Sequence, residues 1–106
     1  MNKNKYTIIL FYKFQNIKNP EAFKLKQREI AEAFGLKGRM LIGTEGVNGT
    51  LEGTTKNIKN YIKELRKPSY AKGSGEARQS FFKDVVFKDS EGTGTGFPKL
   101  KIKVRP

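Results

Sequence analysis

Near the carboxyl end, Lys99, Lys101, Lys103 and Arg105 alternate with Leu100, Ile102 and Val104. On a strand, side chains of one face stand about 6.6 Å apart. The four cations therefore form a row near the phosphate spacing of a nucleic acid. One reading is a row of backbone-phosphate contacts. The other is a solvated edge strand whose lysines block edge-to-edge association. A second basic pattern, Lys56, Lys59, Lys63 and Arg66, has helical spacing and lies opposite Ile58, Ile62 and Leu65, with Lys67 beside it. Only Glu64 compensates this stripe. It repels itself mildly, and a polyanion would relieve it; an ordinary solvated Lys-rich face is the alternative.

Other chemistries find little support. Gly92-Thr93-Gly94-Thr95-Gly96 looks like a phosphate-binding loop, but such loops open a helix and aim its N-terminus at the anion. A strand follows here and the Gly-Lys-Ser/Thr element is missing, so a flexible hairpin loop is expected. The chain has no His and no Cys, which excludes an imidazole base, a thiolate nucleophile, a thiolate metal site and a disulfide. Its only Asp residues are Asp84 and Asp89, and its eight Glu are dispersed. No metal or cofactor is expected.

The 106 residues carry 22 Lys plus Arg against 10 Asp plus Glu, a formal net charge of +12. That length fits one domain with one modest core, and the charge points to a polyanionic partner. The basic residues divide into 17 Lys and 5 Arg. Specific phosphate recognition favours Arg, so part of the excess reads as compositional bias on solvated positions. No run approaches the roughly 18 apolar residues of a membrane span. The basic start, Met1 to Lys5, leads into a short β-branched run without a small-residue cleavage site. A cytoplasmic protein without a membrane partner is expected.

These side chains need a scaffold. Tyr6 to Phe14 reads as a central strand, with Ile8, Leu10, Tyr12 and Phe14 on one face and Ile9 and Phe11 on the other. Asn19-Pro20-Glu21 starts a helix with Phe23, Ile30, Ala31 and Phe34 as its apolar stripe, and Gly35 stops it. Gly38–Thr44 and Val47–Gly53 form an antiparallel hairpin around a tight Gly/Asn loop. Thr54 or Thr55 caps a second helix carrying Ile58, Ile62 and Leu65. Ser69 to Ser80 reads as a polar loop, Phe82 to Lys88 as a fourth strand and Leu100 to Arg105 as a fifth. This order predicts an α+β, ferredoxin-like (acylphosphatase-like) βαββαβ sandwich with an extra C-terminal strand. Both helices lie on one sheet face. The other face keeps apolar surface, either Ile9 and Phe11 or the opposite set, for a partner.

The hairpin carries the most specific motif. From Gly38 and Arg39 through Glu45-Gly46-Val47-Asn48-Gly49-Thr50 to Gly53, the chain resembles the signature of the amino-terminal domain of the rhodanese-like tRNA uridine hydroxylase family. The first strand, the Pro-started helix and the segment from Ser90 through Phe97-Pro98-Lys99 to Arg105 resemble it too. The likeness covers nearly the whole chain, in order. It implies a ferredoxin-like domain followed by a rhodanese domain that bears the essential Cys. It also implies oxygen-dependent conversion of the tRNA wobble uridine to 5-hydroxyuridine. On that view residues 1–106 are one non-catalytic domain, an amino-terminal fragment, with tRNA and its own rhodanese domain as partners. Family members commonly carry Asp-Gly-His where Thr93-Gly94-Thr95 stands, and the Ser69–Ser80 loop is longer than usual.

Three functions compete. The first is tRNA docking through Lys99, Lys101, Lys103 and Arg105 with the helical stripe, the Glu45–Thr50 tip facing the catalytic domain or the anticodon loop. The second is a stand-alone acylphosphatase-like hydrolase with Asn48 in the active site; the segment Lys13 to Asn19 lacks the Arg and Gly that such enzymes place there. The third is protein contact through the open sheet face, which would cover the rhodanese domain. A generic basic RNA-binding domain also remains. Stacking of bases is not expected, because Gly38 to Gly43 lacks the aromatics of an RNA-recognition strand.

Overall fold

A computed structural model describes residues 5–67, 69–70, 77–78 and 80–105. The elements are β1 (Tyr6–Phe14), α1 (Pro20–Ala33), β2 (Lys37–Gly43), β3 (Gly46–Thr54), α2 (Thr55–Arg66), β4 (Ser69–Tyr70), β5 (Ala77–Arg78), β6 (Lys88–Gly92) and β7 (Leu100–Val104). The main sheet has the order β6-β1-β3-β2-β7, and only the β2–β7 pair is parallel. The extra C-terminal strand is thus β7, at the free edge of β2. Both helices cover one face, α1 over β2 and β7, α2 over β3 and β1.

Local sequence explains the helices. The Asn19 side chain accepts a hydrogen bond from the Ala22 amide at 3.1 Å, with Pro20 at the first helical position. The Thr54 hydroxyl does the same for Asn57, also at 3.1 Å. Each cap satisfies an amide that the helix leaves unpaired. Ile9 and Phe11 of β1 meet Met40, Ile42, Leu51 and Ile102 of the other strands and Ala31, Ile58, Tyr61 and Leu65 of the helices. The far end of the Phe11 ring lies over Gly49 on β3; a Cβ there would stand 2.6 Å from Phe11 Cζ. This close approach is one physical reason for glycine in the hairpin motif. Tyr61 is fully buried, and burial pushes its phenol pKa up.

Three expectations are corrected. Residues 82–88 do not form a strand; Phe81 to Asp84 is a turn, and the fourth sheet strand begins only at Lys88. Phe82 and Val85 are buried three positions apart, a turn's spacing and not a strand's. Phe82 and Phe87 pack on Phe11, and Phe81 and Phe82 on Phe23. Lys13 anchors the turn by donating to the Phe81 carbonyl and to Asp84, at 2.6 and 2.9 Å. The Lys13 bond holds the Asp84 carboxyl below its ordinary pKa. Within the expected Ser69–Ser80 loop, Ser69–Tyr70 and Ala77–Arg78 pair antiparallel; residues 71–76 and 79 lie outside the described residues.

The Gly92–Gly96 segment is no hairpin loop, because β6 and β7 occupy opposite edges of the sheet. The crossover between them is fastened by Glu52 of β3. Its Oε2 accepts from the Thr93 and Gly94 amides, both at 3.0 Å, and its Oε1 from the Gly96 amide at 2.9 Å. The amides that might have cradled a phosphate hold an internal carboxylate instead. Glu52 is only 3% exposed, and a buried charge is tolerable when hydrogen bonds satisfy it. Glu52→Gln replaces an acceptor oxygen with a donor aimed at donors. It should lower the unfolding free energy by about 2 kcal/mol; an unchanged urea midpoint would show that the carboxylate does not fasten the crossover.

Candidate nucleic-acid interface

The two strand faces sort the cations. Ile102 points under the helices and is buried, so Lys101 and Lys103 project from the face that no helix covers. Strand register extends this into rows across the sheet. One row runs Lys88, Leu10, Thr50, Arg39, Lys101. The next runs Tyr12, Asn48, Leu41, Lys103. Arg39, Leu41, Asn48, Lys101 and Lys103 line a shallow cavity of about 470 Å³. Among the described residues, no carboxylate lies within ion-pair distance of Arg39, Lys101 or Lys103. Glu52 shares this face, but its oxygens are occupied by the crossover amides.

The remaining members of the C-terminal row differ. Arg105 donates to Glu45 at the hairpin tip, 3.3 Å away, and its own amide donates to the Ile42 carbonyl. Lys99 is exposed just before β7, where its carbonyl accepts from the Gly38 amide at 3.1 Å. Gly38 and Gly46 have φ of +139° and +152°, and a Cβ at either would collide with a backbone carbonyl. Gly38, Gly46 and Gly49 of the motif therefore build the hairpin. Arg39, Asn48 and Thr50 are its face-forming members.

The helical stripe lies elsewhere. Lys56, Lys59 and Lys63 are exposed on the outer side of α2, across the sheet from β7's lysines. The structure does not bring the two stripes together. Arg66 is engaged: it donates to the Val85 carbonyl at 2.8 Å, and its guanidinium stands 5.2 Å from the Phe87 ring centroid.

Sequence reasoning gave the open sheet face to protein contact without choosing which side chains of β1 form it. Leu10, Tyr12 and Phe14 are 51%, 65% and 80% exposed, beside the cationic rows. The alternation in β1 was the available signal; which set faced outward was not. The acylphosphatase reading meets an obstacle after β1. There the amides of Gln15 and Ile17 donate to the Glu45 and Thr44 carbonyls, at 3.0 and 2.9 Å, and are not free to cradle a phosphate.

Residues 6–106 match the profile of the UPF0176 acylphosphatase-like domain. The chain belongs to that family. It is 43% identical over 99 residues to a tRNA uridine(34) hydroxylase of Corynebacterium kroppenstedtii, covering 93% of this chain and 30% of that protein. It is 36% identical over 100 residues to the enzyme of that name from Staphylococcus carnosus, covering 94% of this chain and 28% of that one. The domain thus spans less than a third of the length of these curated relatives. Among solved structures it is similar to acylphosphatase from Bacillus subtilis, with a TM-score of 0.62, 13% identity, and coverage of 92% of this chain and 98% of that one. That likeness establishes the ferredoxin-like α+β fold.

The geometry separates structural from free cations. Arg66→Ala should lower stability by about 1 kcal/mol through the lost carbonyl and ring contacts. Lys59→Ala and Lys63→Ala should each stay within about 0.5 kcal/mol of the parent. Thermal unfolding compares them, and equal effects at all three sites would remove the structural role given to Arg66.

Proposed function

We propose that this domain docks tRNA for an oxygen-dependent wobble-uridine hydroxylase and does not itself catalyse. On this reading residues 1–106 are the amino-terminal domain of a longer protein, supported by the chain's covering less than a third of its curated relatives, and the chemistry belongs to a Cys-bearing rhodanese domain. The observation that carries the reading is the open sheet face, where Arg39, Lys101 and Lys103 stand without carboxylate partners among the described residues. Relatives named tRNA uridine(34) hydroxylase support tRNA as the polyanion.

Charge also supports a division of the surface between the two partners. A face presenting Lys88, Arg39, Lys101 and Lys103 favours an RNA backbone over a second protein domain. Lys99 extends the row at its start, whereas Arg105 is held by Glu45. The hairpin tip, where Glu45 and Arg105 hold each other, turns to the rhodanese domain. Lys56, Lys59, Lys63 and Arg66 lie on the far side and contribute through the long-range field that draws the polyanion in.

Filter binding of tRNA as a function of salt tests this. Affinity should fall linearly on logarithmic axes as salt rises. The double variant Lys101→Glu, Lys103→Glu should weaken binding and reduce that slope by about 2, one for each lost phosphate contact. Absence of tRNA affinity at low salt, or a slope indifferent to the double variant, would refute the proposal.

A further inference from the structure

The open face carries more than charge. Tyr12 and Phe14 stand next to each other on β1, ring centroids 5.7 Å apart and edge to face. Both remain largely exposed, so the pair offers a free aromatic face. Asn48 sits directly opposite Tyr12 on β3, with Leu41 and then Lys103 on the following strands. At about 4.8 Å per strand, Tyr12 and Lys103 are about 14 Å apart. Asn48 and Leu41 border both the small cleft beside Tyr12 and Phe14 and the larger cavity beside Arg39 and Lys101. One surface thus joins an aromatic ring, a side-chain amide and a bank of cations.

We infer that this surface binds single-stranded RNA by stacking a base on Tyr12, a deepening that rests on the docking reading above. Every base has a π-face, and stacking on an aromatic side chain is the common device of sheets that hold unpaired nucleotides. The Asn48 carboxamide presents a donor and an acceptor together, which fits the hydrogen-bonding edge of a base lying over the adjacent strand. Arg39, Lys101 and Lys103 then take the phosphates that flank it. An RNA duplex has no splayed base to offer this ring, and a sulfated polysaccharide has no base at all. The expectation that bases do not stack came from β2, which is free of aromatics; the rings are supplied by β1 instead.

The test measures the protein's affinity for a fluorescein-labelled single-stranded oligouridylate, an RNA duplex of equal length, and heparin, in the parent and in three variants. Tyr12→Ala should weaken the single strand about tenfold and leave heparin binding and the salt slope unchanged. Tyr12→Phe should retain the affinity, since the ring and not the hydroxyl stacks. Lys101→Glu should weaken all three ligands and lower the slope. Tyr12 is exposed, and matching thermal melts check that the variants are folded. If Tyr12→Ala binds the single strand like the parent while Lys101→Glu weakens it, stacking is overturned and docking stands. If Lys101→Glu also has no effect, the docking reading falls and the stacking inference with it.

Discussion

The cationic face depends on a single buried carboxylate. In this sheet β6 and β7 lie at opposite edges, so the chain must cross from one to the other before the last strand can form. Glu52 fastens that crossing by accepting three backbone amides from Thr93, Gly94 and Gly96. Tyr6 packs under the same segment, within contact of Gly94. Only then does β7 arrive beside β2 in parallel register, with Lys101 next to Arg39 and Lys103 next to Leu41. The crossover's amides bind an anion, but the anion is built in, and its oxygens are turned to those three amides and not to the basic side chains.

A net charge of +12 says little until it is placed. Some cations are tied down: Lys13 on Phe81 and Asp84, Arg66 on Val85 and Phe87, Arg105 on Glu45. Others form ordinary helix-surface pairs, Lys26 with Glu29 and Arg28 with Glu32. The remaining order is in two groups on opposite sides of the sheet. The α2 group stands alone on a helix. The β7 group is joined by Arg39 and bordered by Tyr12, Phe14 and Asn48, so that there, among the described residues, charge, aromatic surface and hydrogen-bonding groups converge.

Much of this was legible in the sequence. The alternating pattern of β1, the Asn19-Pro20 start of α1 and the glycine-bounded hairpin are local signals, and each element forms where its signal lies. What could not be read was non-local. Lys88 to Gly92 has no apolar alternation, because β6 is an edge strand held by backbone pairing to β1. The apolar run before it mimics a strand while packing as a turn beneath Phe11. Glu52 looked like any dispersed acid; its role depends on a segment 41 to 44 positions away. The motif's family was recognisable, yet the physical work of its residues divides in two: Gly38, Gly46 and Gly49 shape the hairpin, whereas Arg39 and Asn48 face outward beside β7.

On the docking proposal, RNA meets the uncovered sheet face. Backbone and side-chain NMR shifts, recorded while a tRNA anticodon stem-loop is titrated into the labelled protein, locate the contact. Perturbations should concentrate on Tyr12, Arg39, Leu41, Asn48, Lys101 and Lys103, with the Tyr12 ring protons moving upfield under a stacked base. Perturbations confined to α1 and the Lys56–Lys63 side of α2, with this face unchanged, would contradict it.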